Sequence, residues 1–267
     1  SVVVSLPAAS VSPTRRLFDS HCPAIRDAAD VIASPNFGGL ALMTTGEGEW
    51  GLARHLAASQ PACIALGVHP WHVHEQTLGW EGRLLEALVA SPHAAVGEAG
   101  LDRARLDSSF DLQLAAFLTQ LRFAQDLSRP LVVHCVRSDG KLLDLLRAEA
   151  ALPPVVIMHA FGGSPETAAA LLRLGGQAAC KVYFGFSPGA LRLRRADAVI
   201  RSVPADRLLL ESDAHVGAAA IAGVAESCDR LAAARGWTPA ETEERCARNA
   251  HEAFDRPDPA AGHVELM

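Results

Sequence analysis

Eight short apolar runs, separated by stretches of helical periodicity, constrain this chain more than any other feature. They are Leu17–Cys22, Gly38–Thr45, Ala62–Trp71, Ala94–Asp102, the LVVHC segment opened by Pro130, Val155–Phe161, Lys181–Phe186 and Leu208–Asp213. A strand with one wet face alternates apolar and polar residues, whereas a strand covered on both faces is apolar throughout. The runs therefore predict a parallel sheet with helices on both sides. The intervening segments fit this. Trp80–Ala90 lines up Leu84, Leu85 and Leu88, Leu106–Leu127 is the longest helical stretch, and Ser164 with Pro165 opens a helix through Leu174. Further helices are expected over 24–33, 47–59, 140–150, 190–202, 218–235 and 239–254.

Eight strand–helix units in a chain of 267 residues have the size of an α/β TIM (β/α)8 barrel. An open doubly wound sheet is the alternative, but no GxGxxG follows the first strand. No composition shift marks a second domain. The expected organisation is an N-terminal extension over 1–16, one barrel domain over 17–254, and a flexible Pro-, Ala- and Gly-rich tail over 255–267.

A hydrophobic fraction of 49% supports a full core, and a net charge of −6 excludes a protein held to nucleic acid by overall basicity. Only Lys141 and Lys181 are lysines, so nearly all positive charge is arginine. The six cysteines contain no CxxC pair, which points to a reduced, intracellular protein. The opening SVVVSLPAAS is too short to span a bilayer and lacks a preceding basic residue. The expectation is a soluble, cytoplasmic protein without membrane association, or a nuclear one in a eukaryote.

The chemistry sits at the strand ends. Glu98 is a lone carboxylate inside the apolar run AAVGEAGLD, and burying it demands a partner. His21, His134, His159 and Asp213 lie at or near the C-terminal ends of other strands, where barrel active sites assemble. Three imidazoles and two carboxylates there form a mixed N/O site for one or two divalent ions, such as Mg2+, Mn2+ or Zn2+. Each residue also has a plainer reading. Glu98 would be an ion pair at the rim, His134 and His159 core histidines, and Asp213 a helix cap. Trp71, in the loop after the third strand, either stacks a base or packs the rim. Asp19 and Asp102 read as groups that orient neighbours, not as catalysts.

FDSHC, GVHPW, AVGEAGLD, PLVVHC, VIMHAFGG and LLLESD occur in this order, with NAHEAF after them. A helix between them carries Gln113, Phe117, Gln120 and Leu121. Together, over Phe18–Phe254, they resemble the TatD family of metal-dependent deoxyribonucleases. The resemblance implies an amidohydrolase-like barrel that hydrolyses DNA phosphodiesters, with single-stranded DNA or strand ends as substrate. It implies metal binding by His21, Glu98, His134, His159 and Asp213, with Glu98 bridging, and a phosphate-contacting or orienting role for His69.

Two positions depart from the family pattern. The family's DxHxH reads Asp19-Ser20-His21-Cys22-Pro23 here, and proline cannot ligate a metal. The HxR of strand five is shifted, with Arg137 one residue late; Arg137 and His215 join His69 and Trp71 as expected substrate contacts. Pro23 admits three readings: weak binding of the first ion, substitution by His215, His72 or His74, or lost nuclease activity. Two rival functions stay open with it. One is a degenerate barrel that binds a protein partner; the other is a barrel hydrolase of a small ester, lactone or amide.

Overall fold

A computed structural model describes residues 17–23, 25–34, 37–59 and 62–254. The expected extensions over 1–16 and 255–267 lie outside the described residues. The eight strands pair in sequence order as one parallel sheet: β1 (Leu17–Cys22), β2 (Phe37–Met43), β3 (Cys63–Leu66), β4 (Ala95–Asp102), β5 (Leu131–Val136), β6 (Val155–Met158), β7 (Lys181–Phe186) and β8 (Leu208–Leu210). The seam between β8 and β1 is closed largely by side chains. Ser20 Oγ donates to Leu210 O at 2.8 Å, and Asp19 Oδ1 accepts the Ser212 N–H at 2.9 Å. The Asp213 N–H reaches His21 O at 3.1 Å. Fully buried Asp19 is thus a staple of the barrel. The result is a nearly closed TIM barrel.

Three strands stop earlier than their apolar runs. Beyond Leu66 of β3, side chains take over the backbone groups that a ladder would use. Thr44 Oγ1 accepts the Gly67 N–H at 3.0 Å, and Trp50 Nε1 donates to Gly67 O at 2.9 Å. Gln120 then holds both backbone groups of Val68, at 2.8 and 3.0 Å. From there the chain winds into a 3-10 turn, Pro70–Glu75, in place of more strand. After β6 and β8 the chain likewise leaves the sheet, so His159 and Asp213 sit on loops just past the strand ends.

Among the described residues ten α-helices surround the sheet: α1 (Ala28–Ile32), α2 (Glu47–Ser59), α3 (Trp80–Val89), α4 (Phe110–Asp126), α5 (Asp139–Ala148), α6 (Pro165–Gln177), α7 (Pro188–Leu191), α8 (Ala196–Ser202), α9 (Gly217–Arg235) and α10 (Pro239–Phe254). Helix α4 starts at Phe110 instead of Leu106. Asp102 Oδ1 first holds the N–H groups of Ala104 and Arg105 in a turn, and Ser109 then caps the helix. The helix expected over 190–202 is two, because Ser187 and Pro188 start α7 early and the Arg192–Arg195 stretch interrupts it. Ser164 caps α6 as expected, accepting the Thr167 N–H.

Apolar side chains between sheet and helices form the main core. A second cluster fills the barrel interior at the N-terminal end, with Phe18, Met43, Val132, Ile157, Tyr183 and Leu209 packed under Ala250, Ala253 and Phe254 of α10. That end is plugged by apolar side chains, and the polar residues gather at the other. None of the six cysteines forms a disulfide. Among the described residues no helix is long and apolar enough to cross a membrane.

Gln120 is buried and satisfies two backbone groups that have lost their ladder. Its truncation strands a buried donor and a buried acceptor, at about 1–3 kcal/mol for each group left unpaired. Gln120→Ala is expected to lower unfolding stability by about 2–4 kcal/mol, read as an earlier midpoint in urea at unchanged slope.

Candidate metal centre

Glu98 is the hub of the mouth. Gly97, just before it, has φ +140, and a Cβ there would lie 2.7 Å from Val132 O. Only glycine lets β4 run this close to β5. Glu98 itself is buried, and four imidazoles face its two oxygens. His21 Nε2 is 3.0 Å from Oε2; His134 Nδ1, His69 Nε2 and His159 Nε2 lie 3.0, 3.4 and 3.6 Å from Oε1. His159 Nε2 is also 3.7 Å from Asp213 Oδ1. The structure therefore gathers all five residues expected as ligands. Asp213 adopts φ +52, which turns its half-exposed side chain into the mouth.

Buried carboxylates back two of these rings. Asp102 Oδ2 lies 3.1 Å from His134 Nε2 and accepts Trp71 Nε1–H at 2.7 Å. Glu211 Oε1 lies 3.1 Å from His159 Nδ1 and accepts the Ala160 N–H at 2.5 Å. Each carboxylate fixes one ring nitrogen and leaves the other facing Glu98, the arrangement by which proteins orient metal-binding imidazoles. Gln113 Oε1 holds the Asp102 N–H at 2.7 Å, so α4 sets the end of β4 as it sets the end of β3. Glu211 is not evident from the sequence as part of the site. The available signal is Gly185 on the neighbouring strand, where a Cβ would come within 2.0 Å of Glu211 Oε2.

Burial alone would raise the Glu98 carboxyl, but His159, His21 and His69 hold it well below the usual range. His159 is pushed down by burial and pulled up to about 10 by Glu211, Glu98 and Asp213. Burial drives His69 down to about 4 against the pull of Glu98, so this ring is neutral near pH 7. His69 Nδ1 accepts the Trp71 N–H at 3.2 Å, which places its one proton on Nε2. Although His69, Glu98 and His134 offer ligand atoms within 4.8 Å of one another, His69 is thereby a hydrogen-bond donor.

The donors fit a divalent cation. Both His21 ring nitrogens, Glu211 Oε2 and Asp19 Oδ2 are buried without a hydrogen bond. His21, His159 and Glu211 offer ligand atoms within 4.8 Å. Buried imidazoles and carboxylates that face one another off hydrogen-bond geometry suit a cation held among them. Pro23 lines the same cavity and brings no donor. The cavity holds about 170 Å3 and is also lined by Thr45, Glu49, Trp71, His72 and His215. His215 is exposed there; His74 instead pairs with Ser108 Oγ at 2.9 Å. Arg137 is exposed outside the lining.

Residues 18–255 match the family described as TatD related DNase. The chain belongs to the TatD family. It is 36% identical over 200 residues to the 3'-5' ssDNA/RNA exonuclease TatD of Edwardsiella piscicida, covering 70% of this chain and 73% of the relative. With the Escherichia coli K12 protein of the same name it shares 30% identity over 196 residues, 71% of this chain and 73% of the other. Among solved structures, the TatD homologue YjjV of Escherichia coli K12 superposes with a TM-score of 0.76 at 25% identity, over 92% of this chain and 100% of that one. A dihydroorotase at 14% identity, with a TM-score of 0.60 over 90% of this chain and 82% of its own, shares the fold alone. As a TatD-family barrel the chain is a metal-dependent hydrolase of phosphodiester bonds.

Proposed function

We propose that this protein is a metal-dependent exonuclease acting on ends of single-stranded DNA or RNA. The observation that carries the reading is the convergence of His21, His134 and His159 on Glu98, with Asp213 beside His159, at one small cavity. Its relatives named as exonucleases support the substrate class. Glu98, His134 and His159 would hold one divalent ion, and His21, Glu98 and Asp213 a second. When bound, such an ion supplies Lewis acidity toward a phosphodiester and lowers the pKa of water.

The chain's own residues divide the remaining work. Asp213, the exposed carboxylate of the set, takes the proton of the attacking water at Oδ1. His69, with Nδ1 on the Trp71 N–H and Nε2 3.4 Å from Glu98 Oε1, orients the Glu98 carboxylate. Trp71, anchored through its indole N–H on Asp102, offers a ring face to a terminal base. A cavity of about 170 Å3 is well below the roughly 300 Å3 at which pockets for whole small molecules begin. It admits a phosphodiester group and part of a nucleotide. Release of mononucleotides from an end-labelled single strand, with Mg2+, Mn2+ and Zn2+ in turn, tests the reading. Label at either end should report 3'-to-5' removal, and inert protein with every ion would defeat it.

Pro23 favours a second reading in part, a barrel with one tight ion and one weak one. Pro23→His should restore an imidazole to the cavity wall. A second ion is expected to bind about 10–100-fold more tightly in this variant, by titration calorimetry. Unchanged stoichiometry and affinity would show that position 23 does not face the ion.

A further inference from the structure

The cavity is too small for the substrate, so a nucleic-acid strand must lie across the rim, and the rim is electrically divided. The first turn of α2, after β2, and the 3-10 turn after β3 carry Glu47, Glu49 and Glu75, which line a groove of about 480 Å3; Glu47 is paired there with Arg83 and Glu75 with His72. That groove shares Thr45, Glu49 and His72 with the cavity over the metal centre. The loops after β4, β5 and β7 carry Arg103, Arg105, Arg137, Arg192, Arg194 and Arg195, all exposed. Asp107, paired with Arg105, lies within the segment between β4 and α4, and Asp111 and Asp139 follow in the first turns of α4 and α5. A chain with a net charge of −6 has thus concentrated six arginines on one sector of its mouth.

We propose that this arginine sector is the track on which the sugar-phosphate backbone of a single strand lies as its end enters the cavity. The proposal rests on the nuclease reading above and adds the direction in which the strand leaves the site. Coulomb attraction draws a polyanion to the β4–β7 side, where arginines outnumber carboxylates. The sector is anchored to the site. The Arg105 guanidinium stacks 4.2 Å above the Trp71 ring, and Trp71 is tied through Asp102 to His134. The loop after β7 is fastened to the loop after β6, with Arg195 Nε donating to Gly162 O at 2.7 Å. A Cβ on Gly162 would meet Leu193 at 3.0 Å. Leu193 and Leu106 are 42% and 58% exposed among the arginines and give bases an apolar surface to lie on.

The test measures binding of fluorescein-labelled single strands of about 20 nucleotides, as DNA and as RNA, in EDTA from about 50 to 200 mM salt. The native chain is compared with the triple variant Arg137→Ala, Arg192→Ala, Arg194→Ala, which leaves the Arg195–Gly162 anchor in place. A matched control replaces Arg54, Arg173 and Arg248, exposed on α2, α6 and α10, by alanine. Single strands release about 0.7 counterion per phosphate contact, so three lost contacts should reduce the salt slope by about 2. The loop variant is expected to bind at least about tenfold more weakly at the low-salt end, while the control follows the native curve. Parallel loss with DNA and RNA locates recognition in the backbone; loss with one alone assigns the track to that polymer. A loop variant that tracks the control overturns the proposal and leaves the nuclease reading standing. Native protein that neither binds nor cleaves single strands overturns both.

Discussion

Glu98→Gln is expected to abolish divalent-ion binding and to lower nucleotide release by at least about 10³-fold, the scale of losing a preorganised charged group at a reacting centre. The substitution keeps volume and one acceptor oxygen but removes the charge on which four imidazoles converge. His69, His134 and His159 each keep another polar partner and His21 stays stacked on His159, so the fold should survive. Thermal unfolding separates the two effects. An ion at 100 times its dissociation constant stabilises the native protein by about 2.7 kcal/mol, and a chain of this size gains about 2–4 °C per kcal/mol. Native protein should therefore shift upward by about 5–10 °C on saturation with the ion, and Glu98→Gln by nothing. A variant that keeps the native shift would move the ion away from Glu98.

The parts legible in the sequence are those enforced by burial. Strands covered on both faces must be apolar along their length, so all eight announce themselves, and Glu98 stands out as a charge in such a run. Strand ends are misjudged where side chains replace the ladder. Nothing local tells that Thr44, Trp50 and Gln120 will take the backbone groups of Gly67 and Val68, since the partners lie 17 to 52 residues away. The residues around Glu98 are readable because His21, His134, His159 and Asp213 lie at or just past strand ends. Arg137 stands on the rim outside the cavity, exposed among the arginines of that sector.

Glu211 is obscured by its neighbour Asp213, which looks like the functional carboxylate of LLLESD. Its role is expected to show as metal affinity. The Glu211 carboxylate holds His159 Nδ1 and the Ala160 N–H, and so aims His159 Nε2 at Glu98 and Asp213. Losing such a backing group typically costs 10–100-fold in affinity for the ion, so Glu211→Gln should weaken binding by about that factor. Glutamine still accepts the Ala160 N–H, so folding should be largely preserved. Gly185→Ala offers an independent route to the same place, because its methyl would arrive 2.0 Å from Glu211 Oε2 and displace the carboxylate. If both act through Glu211, the double variant binds the ion no more weakly than the worse single one, since residues in contact are not additive. Calorimetric titration of the four proteins reads the result directly. Additive losses would mean that Gly185→Ala deforms the barrel generally and that Glu211 does not hold His159 for the ion.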